Sequence, residues 1–217
     1  IHSSATQGFH EIDGVSTLDA LPGIANVKGL DLIAITDFYS YRSAFQIKNQ
    51  AIAKYKGKLS VLPGFTFRTR VNNCDEVYLV AIFDENFSED NFDEIFRKLS
   101  VPKSAEGDSN YILELDLQKA IKIIEARGGV VFPSRVDKNP YRELAIKSLI
   151  EDYGFRSFDL VYPEQIQEIQ NNYQDYNLKF FTFSNAYSLG MVGSRTSELK
   201  LPERSFKFIK EEFKRFE

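Results

Sequence analysis

The 217-residue sequence has no tryptophan, one cysteine, one methionine and two histidines. The lone Cys74 excludes an internal disulfide and suits a reducing cytoplasm, which is the location expected. With Asp75 and Glu76 beside it and no neighbouring cation, its thiol reads as inert. Two histidines are too few for a multi-metal centre built on imidazole, so other ligands would have to carry one. No apolar run approaches roughly 18 residues, which excludes a membrane-spanning helix. A dominant charge is also missing: 27 Lys and Arg stand against 31 Asp and Glu, a net charge of −4. That balance argues against non-specific nucleic-acid binding. The chain opens on Ile1, so the start of the first strand is expected upstream, and a targeting signal there is not legible.

What is present points to one α/β domain over residues 1–217. Hydrophobic residues make up 43%, with 19 Phe and 11 Tyr, enough for a sizeable core. The pivot is Gly29 to Ser40, GLDLIAITDFYS. Leu30, Leu32, Ile33, Ala34 and Ile35 form an apolar run, as in a strand buried on both faces. It ends at Thr36-Asp37, and a helix is expected over 41–56. In a βα unit the site lies where the strand hands over to its loop, which puts Thr36, Asp37 and Phe38 where chemistry belongs. Phe38 is the odd member, since a phenyl ring neither binds a metal nor moves a proton.

Further strands are expected at 59–63, 77–83, 130–133, 158–162 and 179–183, with a short one at 199–202. Residues 65–71 alternate apolar and polar. Helices are expected at 18–28, capped by Ser16-Thr17, and at 84–99, 115–127, 141–152, 164–171 and 204–216. The last carries Phe206, Ile209, Phe213 and Phe216, read as core. Residues 102–110 read as a loop, and Gly128-Gly129 as a helix stop before an inner strand. Strand then helix, repeated about seven times, suits a closed or nearly closed barrel.

Several stretches together resemble the PHP family (polymerase and histidinol phosphatase). Ile1-His2-Ser3 matches the second half of its HxHS, and GLDLIAITDF its KGLDxIAITDH. Leu62 to Thr66 is similar to IPGxE, Asp75 to Tyr78 to EEVH, Gly128 to Asp137 to GGxxIPAHVD, and Phe183 to Tyr187 to GSDAH. The resemblance implies a distorted seven-stranded (β/α)7 TIM-like barrel and a metal-dependent phosphoesterase whose divalent metals (Zn, Mn or Fe) sit at the C-terminal mouth. It also implies that most ligand positions are substituted here. Phe38 stands for the histidine of TDH, Thr66 for the glutamate of PGxE, Tyr78 for the histidine of EEVH and Arg135 for that of AHV. Asn185 and Tyr187 stand for the aspartate and histidine of SDAH. His2 and Asp37 are unchanged, the other histidine of HxH would precede Ile1, and Gln7, Glu11 and Asp13 share the loop of the early aspartate.

Metal-binding carboxylates without their cations repel one another and are costly to desolvate. Phe38, Tyr78 and Tyr187 remove charge and supply bulk, and Arg135 puts a fixed cation where a metal-bound imidazole would be, favouring an anion. His2 reads as a strand-end histidine held by a hydrogen bond before it reads as a ligand, and Asp37 as a cap or supporting acceptor before a base. His10, Glu11 and Asp13 offer a weaker metal set, against a plain run of loop acids. Arg68, Arg70, Arg135, Lys138 and Arg195 all follow expected strands and form a candidate pocket for a phosphate-like anion, the alternative being surface arginines.

Three functions stay open. The first, taken as the main reading, is a degenerate, non-catalytic domain without a cofactor that binds a ligand or protein partner at the former active-site mouth. The second is a phosphoesterase with a metal site rebuilt from His2, Asp37 and the 10–13 loop. The third is a structural module of a larger bacterial-type multidomain protein.

Overall fold

The computed structural model describes residues 1–3 and 16–216. Helix α1 (Thr17–Val27) leads into β1 (Leu32–Ile35), and α2 (Arg42–Tyr55) crosses to β2 (Ser60–Val71). Then follow β3 (Cys74–Ile82), α3 (Glu89–Lys98), α4 (Leu117–Glu125) and β4 (Val130–Ser134). The chain continues through α5 (Pro140–Glu143), α6 (Ile146–Glu151), β5 (Ser157–Asp159), α7 (Ile166–Asn172), β6 (Lys179–Phe181) and α8 (Phe206–Glu212). The strands form one sheet in the order β1-β2-β3-β4-β5-β6. Among the described residues no helix is long and apolar enough to cross a membrane.

The sheet is a curled, six-stranded half-barrel, where the sequence reading expects seven strands in a barrel. It is also mixed: β1–β2, β4–β5 and β5–β6 pair parallel, but β3 runs antiparallel to both its neighbours. The cause is local. Residues 65–71 continue β2, and the chain reverses at once through Asn72-Asn73, with Asn73 at φ +68°. A two-residue turn holds no crossover helix, so the strands it joins must be antiparallel. Beyond β1, the Ile1 amine donates to the Ala34 carbonyl, Thr36 N–H to the Ile1 carbonyl, and His2 N–H to the Ala186 carbonyl. Residues 1 and 2 thus lie between β1 and the segment after β6.

Other boundaries differ for equally local reasons. The expected helix 141–152 is split into α5 and α6, and 199–202 forms no strand. Helix α8 covers only part of 204–216. Ser16 precedes α1 without a side-chain cap bond. Gly128, at φ +86°, ends the α4 segment just before β4, as the sequence suggests. Gly129 lets that segment lie close to the sheet: a Cβ there would meet the Phe83 ring at 2.5 Å.

Alternation along the strands sorts their two faces. Phe65, Phe67, Leu79, Ala81 and Val131 pack into one large core with α3 and α4. The opposite, concave face carries Leu62, Val80, Ile82, Val130, Phe132 and Phe181, covered by Phe206, Ile209 and Phe213 of the α8 region. Followed toward the mouth, this inner face turns polar. β2 runs Leu62, Gly64, Thr66, Arg68; β3, read backward, runs Ile82, Val80, Tyr78, Glu76; β4 runs Val130, Phe132, Ser134. The register places Arg68 opposite Tyr78, and Tyr78 opposite Ser134.

Candidate functional site

Three non-glycine residues at this mouth adopt a left-handed backbone: Tyr39 (φ +49°), Arg135 (φ +56°) and Asn185 (φ +44°). They follow β1, β4 and β6, so each of those strands ends in a sharp turn held by its surroundings, at a typical cost of about 1–3 kcal/mol. Arg135 is fixed by its N–H, which donates to the Asp159 carbonyl at 2.7 Å.

The carboxylates of the mouth already have partners. Buried Asp37 accepts from Ser3 N–H, Ser3 Oγ and Ser43 Oγ. Asp137 accepts the N–H groups of Val161 and Tyr162 at 2.8 and 2.6 Å. Asp159 accepts from Ser134 Oγ (2.6 Å), Asn185 Nδ2 (2.9 Å) and Phe183 N–H (2.9 Å). Burial pushes the Asp159 carboxyl above its usual range, against these donors and the Arg135 charge. Asn185 thus stands as a neutral donor to Asp159, where a second carboxylate would repel it.

Aromatic rings fill the space between. His2 is stacked between Phe38 (centroids 5.0 Å) and Tyr187 (4.5 Å), and Phe38 meets Tyr78 edge-on at 5.5 Å. Burial, with Arg135 adding to it, holds the His2 imidazole neutral well below its usual pKa, although the Thr36 backbone works the other way. Its Nδ1 is buried with no hydrogen-bond partner among the described residues. Thr66 Oγ donates to the Thr36 carbonyl at 2.8 Å, tying β2 to the end of β1.

The third component is cationic. Arg135 is only 6% exposed; its Nη1 donates to the Tyr187 hydroxyl at 2.9 Å while its Nε has no acceptor among the described residues. Its guanidinium lies 4.8 Å from the Tyr78 ring centroid. Arg68 pairs with Glu76, and Glu76 also takes Arg142 Nη2 at 3.0 Å. Burial raises the Glu76 pKa, but Arg142 and Arg68 outweigh it and hold the carboxyl below its ordinary range.

The structure therefore gathers His2, Asp37, Phe38, Thr66, Tyr78, Arg135, Asn185, Tyr187 and Arg68 at one end of the sheet. Arg70 and Lys138 are exposed, and Arg195 instead braces the Val161 carbonyl at 2.5 Å. His10, Glu11 and Asp13, with Gln7, lie outside the described residues. Cys74 is buried, and burial raises its thiol pKa, which fits an inert group. Among the described residues no three His, Cys, Asp or Glu side chains come together as metal ligands. Asp37 and Asp159 are engaged by hydroxyl and amide donors, and Arg135 brings a fixed positive charge to the same space.

Sequence reasoning leaves out Asp159, Glu76 and Arg142 as site residues. Asp159 has a signal, an acid inside the apolar stretch Phe158 to Val161. Arg142 has a fainter one, two residues beyond the helix-starting Asn139-Pro140, where Asn139 Oδ1 caps Arg142 N–H at 2.9 Å.

No protein-family model matches the sequence, and neither does any curated protein. Solved structures do match in fold. The lesion-specific endonuclease EndoQ from Pyrococcus furiosus superposes with a TM-score of 0.65 at 14% identity, covering 97% of this chain and 53% of that one. The chain thus spans about half the length of that endonuclease. A protein described as a metal-dependent phosphoesterase from Bifidobacterium adolescentis gives 0.57 at 13% identity, over 91% of this chain and 90% of that one. An amidohydrolase from Chromobacterium violaceum, with bound sulfate and no metal, gives 0.65 at 13% identity over 99% and 95%. At these identities the likeness is one of fold alone.

Proposed function

We propose that this chain is a PHP-like domain that binds a phosphate ester at the mouth of its half-barrel, with Arg135 receiving the phosphate. The observation that carries this reading is a buried guanidinium that faces Tyr187, with no acceptor for its Nε and no ion pair among the described residues. Arginine stays charged at any working pH and offers a planar fork matched to phosphate oxygens. A fold relative from Chromobacterium violaceum carries bound sulfate, an anion of the same shape and charge class. The acids around it are occupied in holding the turns, which favours binding over acid–base work.

A second reading, metal-dependent hydrolysis of the bound ester, is favoured by the fold neighbours and by the unpartnered Nδ1 of His2. The comparisons support it at least as well as loss of catalysis. His2 and Asp37, with the 10–13 loop, would hold such a metal, which would polarise the ester and activate water.

Two measurements separate the readings. Thermal unfolding with and without phosphate should show a gain for the wild type and none for Arg135→Gln. Equal gains would remove Arg135 from the site. A chelator-sensitive turnover of a phosphomonoester with manganese or zinc would put hydrolysis first.

A further inference from the structure

Arg135 is not the only underpaired cation at the mouth. Arg142, on α5, is 5% exposed, and its guanidinium lies 4.1 Å from the centroid of the same Tyr78 ring. Arg68 stands 5.9 Å from it. Glu76 bridges two of them, Arg68 and Arg142, while the Arg135 charge acts on Asp159. Arg142 Nε and Nη1 and Arg68 Nε are buried without an acceptor among the described residues, as is Arg135 Nε. A buried donor left unmade costs the full desolvation of that group, and more when it is charged. The ring face of Tyr78 relieves part of this for Arg142 and Arg135 but cannot accept their in-plane N–H groups. The cluster is firmly placed: Tyr141, next to Arg142, donates its hydroxyl to Asp75 at 3.1 Å, so α5 is fastened to the start of β3.

We propose that Arg142, with Arg68, forms a second anion subsite beside Arg135, so that the ligand is a phosphate ester carrying a second anionic group. This rests on the phosphate-binding reading of the mouth. Both guanidinium groups lie against the Tyr78 ring, so they cannot be farther apart than the sum of their distances to it, within reach of one small molecule. Glu76 is the internal counter-ion of the free protein, neutralising one charge of the pair while the subsite awaits its ligand. A second anionic group competes with Glu76 for Arg142.

The test is calorimetric titration, in EDTA and at matched ionic strength, with inorganic phosphate and with glucose 1,6-bisphosphate. The wild type should bind the bisphosphate at least about tenfold more tightly than phosphate, the value of one charge-assisted hydrogen bond. Arg142→Gln should erase that gain, weakening the bisphosphate more than phosphate, whereas Arg135→Gln should weaken both by a similar factor. Arg142→Lys, which keeps the charge should the glutamine variant fail to fold, should retain part of the gain. Glu76→Gln should enlarge it, an effect that a merely structural role for Glu76 would not produce. Equal affinities for the two probes, or a gain indifferent to Arg142 and Glu76, would overturn the second subsite while leaving the phosphate site standing. Failure of phosphate itself to bind the wild type would overturn the reading beneath it.

Discussion

Replacing His2 by phenylalanine should change how stability depends on pH. The ring lies in a slot between Phe38 and Tyr187, buried and next to the Arg135 cation, so protonation would place a second charge where water cannot reach it. Unfolded, the imidazole titrates near 6.5; folded, it stays neutral well below that. Below pH 6.5 the unfolded chain therefore binds one proton more than the native one, and stability falls as the pH falls. The slope is about 1.4 kcal/mol per pH unit, or about 2 kcal/mol between pH 6.5 and 5, against a typical total of about 5–15 kcal/mol. Phenylalanine keeps an aromatic ring in the stack and has nothing to protonate. Urea unfolding at intervals from pH 8 to 5 should show the wild type losing stability more steeply than His2→Phe below pH 6.5. The other histidine, His10, is removed as His10→Gln in both proteins, so the difference belongs to His2. Parallel curves would mean that the native state admits the proton, and the buried, neutral imidazole would have to be abandoned.

Asn185→Asp would set a carboxylate against Asp159, at a position now 2.9 Å from its oxygen, and two such groups cannot both ionise. The variant should lose about 1–3 kcal/mol at pH 7 and regain part of it as the pH falls through the ordinary aspartate range, read by thermal unfolding across pH; a pH-independent loss would argue against charge repulsion. Gly129→Ala should cost about 1–3 kcal/mol in urea unfolding, since its Cβ would meet the buried Phe83 ring at 2.5 Å and Ile124 at 2.9 Å. An unchanged midpoint would mean that the α4–β4 corner is looser than its contacts imply.

Much of the scaffold is legible because its cues are local. The apolar run 32–35 marks β1, and the Leu117, Ala120, Ile121, Ile124 spacing marks the buried face of α4. Asn72-Asn73 is the local cue that barrel rhythm masks. Its neighbours already alternate as a pair of strands should, but barrel rhythm suggests a crossover where the chain makes a tight turn. Helix 141–152 was too long because its apolar positions do not reveal the break after Glu143. Within the site, the positions of Phe38, Tyr78, Arg135 and Tyr187 follow from strand ends and motif order. Their partners do not: Glu76 and Arg142 are 66 residues apart and meet only because α5 folds back over the start of β3. Pairings of that kind depend on tertiary geometry, which no local spacing encodes.

The two-residue reversal between β2 and β3 also has a kinetic consequence. Its ends close over almost no chain, so this hairpin bears little of the loop-closure entropy that the parallel pairings demand, and hairpins of this kind form in about 1–10 μs. It sits second and third in the sheet, where β1 and β4 can each add to a ready edge. Strand side chains alternate, so a slip of one residue at the turn would bury Glu76 and Tyr78 behind the sheet and turn Val77 and Leu79 toward the mouth. The earliest step available to the chain is thus also the one that fixes which side chains a ligand meets.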